Sequence, residues 1–70
     1  MNNKQQFDIG DLVKLCFYRP PIYSGEIVVV RVVAKLSDGE IRYKVADPNV
    51  GDRFAWVYQD DLKPPMSNNE

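Results

Sequence analysis

Histidine is absent from this 70-residue chain, cysteine occurs once, at Cys16, and no apolar run reaches the ~18 residues needed to cross a bilayer. Each absence removes a class of function. With no histidine and one thiol, the chain lacks both a nitrogen and sulfur ligand set for zinc and the Cys-His pairing of a nucleophilic site. A lone cysteine forms no internal disulfide, and no basic stretch followed by an apolar run marks a secretory leader, so the expected location is cytoplasmic and away from membranes. Charge of either sign is not in excess. Nine Lys and Arg stand against ten Asp and Glu, a formal net charge of −1, which removes the bulk attraction of a protein that coats nucleic acid non-specifically. Helical periodicity and internal repeats are missing too, and the length allows one domain with a core so small that every apolar strand face must contribute.

Nothing in the remaining residues points to catalysis. Asp60 and Asp61 are adjacent acids on an expected surface turn, and such pairs are ordinarily solvated charges rather than acid and base. No catalytic residue and no cofactor is assigned, and an enzyme is not expected. Asp47, Asn49 and Asp52 offer oxygens of the kind hard cations take, but the acidic ligand twelve positions on that a calcium loop needs is missing. These residues read as a turn and no metal site is assigned.

The most informative stretch is residues 25–46, GEIVVVRVVAKLSDGEIRYKVA. Two β-rich segments flank Ser37-Asp38-Gly39-Glu40, and Asp-Gly at a tight turn predicts a hairpin of type I′. With Asp38 and Gly39 as the turn residues, Leu36 faces Ile41, Ala34 faces Tyr43 and Val32 faces Val45. One face then carries Val28, Val30, Val32, Ala34, Leu36, Ile41, Tyr43 and Val45. The other carries Ile27, Val29, Arg31, Val33, Lys35, Arg42, Lys44 and Ala46 and points outward.

Around the hairpin, residues 1–6 are polar and expected to be disordered, and Phe7-Asp8-Ile9-Gly10-Asp11 reads as a turn leading into a strand over residues 12–17. Alternation places Val13, Leu15 and Phe17 on the core side of that strand. Pro20-Pro21 lacks the amide hydrogens of a ladder and makes residues 18–24 a loop. After a second loop at residues 47–52, Phe54-Ala55-Trp56-Val57-Tyr58 is a short strand, Gln59-Asp60-Asp61 one tight helical turn, and Leu62-Lys63 a last strand stopped by Pro64-Pro65. The domain spans residues 7–64, with a disordered tail at 65–70. Five short strands bury little as a flat sheet, so an all-β fold that curls into a small barrel or an orthogonal sandwich is expected.

Three stretches carry a resemblance: Gly10-Asp11-Leu12-Val13-Lys14-Leu15, Tyr23-Ser24-Gly25-Glu26-Ile27-Val28, and Trp56-Val57-Tyr58-Gln59-Asp60-Asp61-Leu62-Lys63-Pro64. In this order the chain resembles a five-stranded SH3-like barrel with a short 3₁₀ turn before its last strand, in a KOW- or Tudor-like layout. The resemblance implies a binding module or small subunit of a larger assembly. It transfers no binding residues.

Two surfaces are candidates for binding. Tyr18, Pro20, Pro21 and Tyr23 from the first loop, with Trp56 and Tyr58 from the fourth strand, form an aromatic and proline-rich groove suited to a protein partner if the strand turns its rings outward. The alternation leaves both arrangements open, because Ala55 and Val57 on the opposite face are apolar as well. Arg31, Lys35, Arg42 and Lys44 on the outer hairpin face form the alternative, a basic track for a phosphate backbone. The first expectation is therefore a protein-interaction domain, as a monomer or weak homodimer; nucleic acid is the runner-up partner.

Overall fold

The computed structural model describes residues 4–65, in five antiparallel strands and one 3₁₀ turn. The strands are β1 (Leu12–Leu15), β2 (Ile27–Lys35), β3 (Ile41–Ala46), β4 (Phe54–Tyr58) and β5 (Leu62–Lys63), with the 3₁₀ turn at Gln59–Asp61 between the last two. They form one sheet in the order β4-β3-β2-β1-β5. In a flat sheet the two edge strands would lie about 19 Å apart, four inter-strand spacings. The three turn residues that join them rise about 2 Å each and reach about 6 Å. The sheet therefore curls, and its concave side encloses the core.

That core is aliphatic around one tyrosine. Val13, Leu15, Val28, Val30, Val45 and Val57 are buried together with Ile22, which the first loop sends inward. Tyr43 lies fully buried among them, with Phe7 edge-on at 5.8 Å. A buried hydroxyl needs partners. The Tyr43 hydroxyl donates to Gln59 Oε1 and accepts from the amides of Gln6, at 3.2 Å, and Phe7, at 3.4 Å. Gln59 reaches further back, donating through Nε2 to the Lys4 carbonyl at 2.8 Å and accepting from the Gln6 amide at 2.9 Å. Lys4 and Gln6, in the segment expected to be disordered, thus bond to the interior; residues 1–3, and 66–70 of the expected tail, lie outside the described residues.

The hairpin forms where expected but in a different register. Lys35 faces Ile41, Val33 faces Tyr43 and Val32 faces Lys44, and a bulge at Arg31 then brings Val30 opposite Val45. The cause lies in the turn. Only Gly39 has positive φ, at 89°, while Asp38 does not, and the Gly39 amide donates to the Leu36 carbonyl as the Leu36 amide donates to Glu40. This is a three-residue loop closed by a left-handed glycine, not a two-residue type I′ turn. The odd loop shifts the register by one, and the extra residue at the bulge reverses the faces partway along β2. Val28 and Val30 stay inside, as expected. Val32 and Leu36 turn out to solvent, and Val33 packs against the core in their place.

Strand β1 also stops sooner than alternation suggested. It ends at Leu15, the Cys16 amide donates to the Asp61 carbonyl at 2.7 Å, and Phe17 is 54% exposed instead of buried. Leu15 already accepts from the Gly25 amide, so the chain has begun to leave the ladder there.

Candidate functional site

β4 decides the site. Its pattern alternates strictly, with Ala55 and Val57 buried and Phe54, Trp56 and Tyr58 outside. Small aliphatic side chains fit beneath the curled sheet, where three large rings at i, i+2 and i+4 would overfill a core already holding Tyr43. The rings are instead displayed in a row on the convex side.

Cross-strand pairing fixes their neighbours. Phe54 faces Ala46, Trp56 faces Lys44 and Tyr58 faces Arg42 across β3, while Lys44 and Arg42 face Val32 and Ala34 across β2. Directly opposite residues share a sheet face, so three rings, two cations and an aliphatic strip form one surface. Lys44 Nζ lies 4.3 Å from the Phe54 ring centre, and the Arg42 guanidinium 4.9 Å from that of Tyr58. The row continues beyond the strand. Arg19 sits 5.3 Å from the Tyr58 ring and 4.4 Å from the Phe17 ring, held by Asp61 at 3.0 Å. Aromatic faces carry negative quadrupolar charge, so each cation is attracted to the ring it covers and screens it from water. Trp56 is the exception. It is 49% exposed, and among the described residues no cation lies over its ring.

Charge on this surface is largely compensated. Arg19 pairs with Asp61, and Arg42 with Glu40 at a looser 3.8 Å. Lys44 is the face's one cation without a carboxylate partner among the described residues.

The first loop presents a second aromatic feature. Tyr18 and Tyr23 stack at 5.3 Å and are 51% and 62% exposed, with Pro20 and Pro21 exposed between them. Arg19 and Ile22 pair across the tip, whose Pro20-Pro21 peptide is cis. Buried Ile22 anchors the loop from within. From outside it is held by Arg53, whose Nη2 donates to the Pro21 carbonyl at 2.9 Å and whose guanidinium grips Glu26 and Asp47. Glu26 also accepts from the Tyr23 amide at 2.8 Å. These contacts lower the Glu26 carboxyl to about 2, first through Arg53 and then through the Tyr23 amide. Asp47 is lowered by the Asn49 amide and by Arg53, against a partial burial that opposes the shift. The Asp47 oxygens considered as cation ligands are thereby engaged within the chain.

Comparison with protein-family models, curated proteins and solved structures finds no match.

Residues from both expected surfaces therefore meet. Trp56 and Tyr58 stand exposed and share one face with Arg42 and Lys44. Arg31 and Lys35, expected on that face, are not part of it: Arg31 is the extra residue of the bulge, and Lys35 faces Ile41 and so belongs to the opposite side of the ribbon. Tyr18, Pro20, Pro21 and Tyr23 are exposed on the neighbouring loop, and Arg19 leads from that loop to the strand row. Phe17, Arg19 and Phe54 were missing from the expected site. Phe54 carried a signal, its i, i+2 spacing to Trp56; Phe17 was misread by extending alternation beyond the end of β1, and Arg19 carried no local signal.

Proposed function

We propose that this chain is a non-enzymatic binding module, folded as an SH3-like barrel of KOW- or Tudor-like layout, that acts as a protein-interaction domain or small subunit of a larger cytosolic assembly. The observation that carries this reading is the convex face on which Phe54, Trp56 and Tyr58 stand beside Arg42 and Lys44. Trp, Tyr and Arg dominate the energetics of protein interfaces, because they bring large area at low conformational cost together with a polar handle. The core gains nothing from these outward rings, since Ala55 and Val57 supply its share of β4. The SH3-like assignment is supported by the strand order, the 3₁₀ turn joining β4 to β5 and the Gly10-Asp11-Leu12-Val13 lead into β1.

A nucleic-acid reading draws on Arg42 and Lys44 lying among rings able to stack on bases. It is the weaker one, because Glu40 and Asp61 offset two of the three cations near the row and the net charge is −1. The test captures partners on the tagged chain with and without nuclease, at low and high salt, using wild type, Trp56→Ala, Tyr58→Ala and Arg42→Gln/Lys44→Gln. A protein partner that survives nuclease and salt and is lost with Trp56→Ala supports the interaction module. Recovery that collapses with nuclease, falls steeply with salt and is lost with the double Gln variant overturns it in favour of nucleic acid.

A further inference from the structure

The two edges of the sheet are not alike. β5 is two residues long, contains Lys63 and is followed by Pro64 and Pro65. Shortness, charge and proline are the usual means of protecting an edge from pairing with another chain. β4 has none of them. It is five residues of uncharged Phe-Ala-Trp-Val-Tyr without proline or glycine, and the one adjacent cation, Arg53, is committed to Glu26 and Asp47.

The hydrogen-bond pattern shows which groups this edge leaves open. Asp47 donates to the Arg53 carbonyl, and pairing types alternate along an antiparallel ladder. Ala55 and Val57 therefore exchange bonds with Val45 and Tyr43, and the backbone groups of Phe54, Trp56 and Tyr58 point away from β3. The Tyr58 amide is taken by Asp61 Oδ2 at 3.0 Å, and its carbonyl, at the N-cap of the 3₁₀ turn, accepts the first bond of that turn. What remains is the N–H and C=O of Phe54 and of Trp56, a set two residues apart.

That set is complementary to itself. We infer that β4 is a self-association edge, at which a second copy of this chain pairs antiparallel about a twofold axis at Ala55. Phe54 of each copy then meets Trp56 of the other, and four backbone hydrogen bonds satisfy every open group while leaving the Tyr58–Asp61 bond intact. The smallest side chain of the strand lies at the axis. On the convex side the Phe54–Trp56 contacts join the two aromatic rows, and the symmetry closes the assembly at two copies. The inference does not rest on the partner-binding reading: its backbone pairing uses the edge of β4, and the aromatic face adds only the Phe54–Trp56 contacts.

Sedimentation over a range of concentrations, with circular dichroism to verify folding, tests the edge. Wild type is expected to shift from monomer to dimer as concentration rises. Trp56→Thr keeps the open amide and retains measurable dimer. Trp56→Pro removes that amide without removing a bond to β3, and stays monomeric. Register is tested by oxidation in a Cys16→Ser background: Ala55→Cys, opposite its own copy in a closely spaced pair, cross-links to a dimer, and Trp56→Cys does not. Wild type that remains monomeric at its highest soluble concentration overturns the inference, as does a Trp56→Pro variant that dimerises like wild type. Absence of a cross-link through Ala55→Cys, with or without one through Trp56→Cys, also overturns it. Should Trp56→Pro fail to fold, the cross-linking pair decides alone.

Discussion

Arg53 grips Glu26 with both arms of its guanidinium, Nη1 to Oε1 and Nη2 to Oε2, the second at 2.6 Å. The two residues are 27 apart in sequence and join the start of β4 to the start of β2. Through Pro21 and Tyr23 the same pair orients the loop that displays the stacked tyrosines. Paired, two-pronged geometry of this kind is stronger and more directional than a single contact between flexible surface charges.

This pair predicts loss of stability in acid. The Glu26 carboxyl is held at about 2, below its ordinary 4.5, so the folded chain resists a proton that the unfolded chain accepts. The stabilisation is complete above about pH 4.5 and disappears as pH falls toward about 2. Asp47, also lowered, acts in the same direction. Thermal melts from neutral pH to pH ~2.5 are expected to show a falling midpoint, and Glu26→Gln to start lower and fall less.

The bulge at Arg31 makes neighbouring valines unequal. Val33 packs on the core and Val32 is 38% exposed. Val33→Ala is expected to cost about 1 kcal/mol in urea denaturation and Val32→Ala under about 0.5 kcal/mol. Equal costs, or the reverse order, would mean that β2 keeps a single alternation throughout.

In the hairpin loop, strain is confined to one position. Gly39 alone has positive φ, so Gly39→Ala is expected to cost about 1–2 kcal/mol. Asp38→Ala loses only the exposed bond from the Glu40 amide to Asp38 Oδ1, at 2.9 Å, worth about 0.5 kcal/mol. Chemical denaturation of the two variants separates this loop from a type I′ turn, which requires positive φ at both central positions.

Tyr43→Phe removes one hydroxyl from the centre of the core and leaves Gln59 Oε1 short of a donor. A loss of about 1–2 kcal/mol is expected. Amide hydrogen exchange at Gln6 and Phe7, which donate to that hydroxyl, should quicken more than exchange in β1 and β2.

Much of the strand plan was written locally. The turn residues at 47–52 and the alternation of Phe54-Ala55-Trp56-Val57-Tyr58 were enough to place β4, the 3₁₀ turn and β5 at their observed bounds, because glycine, proline and side-chain period act within a few residues. Which face of β4 turned inward was not legible, since both faces are apolar and only the volume beneath the curled sheet distinguishes Ala55 and Val57 from the rings. The valine-rich run from Ile27 to Ala34 has little polar contrast except Arg31, so it carried no mark of the bulge that exchanged Val32 and Val33 and separated Arg31 and Lys35 from Arg42 and Lys44. The sequence by itself determined the all-β class, the hairpin and the order of the elements. Tertiary structure alone decided register, the exposed aromatic row and the Arg53–Glu26 clamp, because each depends on contacts between residues far apart in the chain, which local preference does not encode.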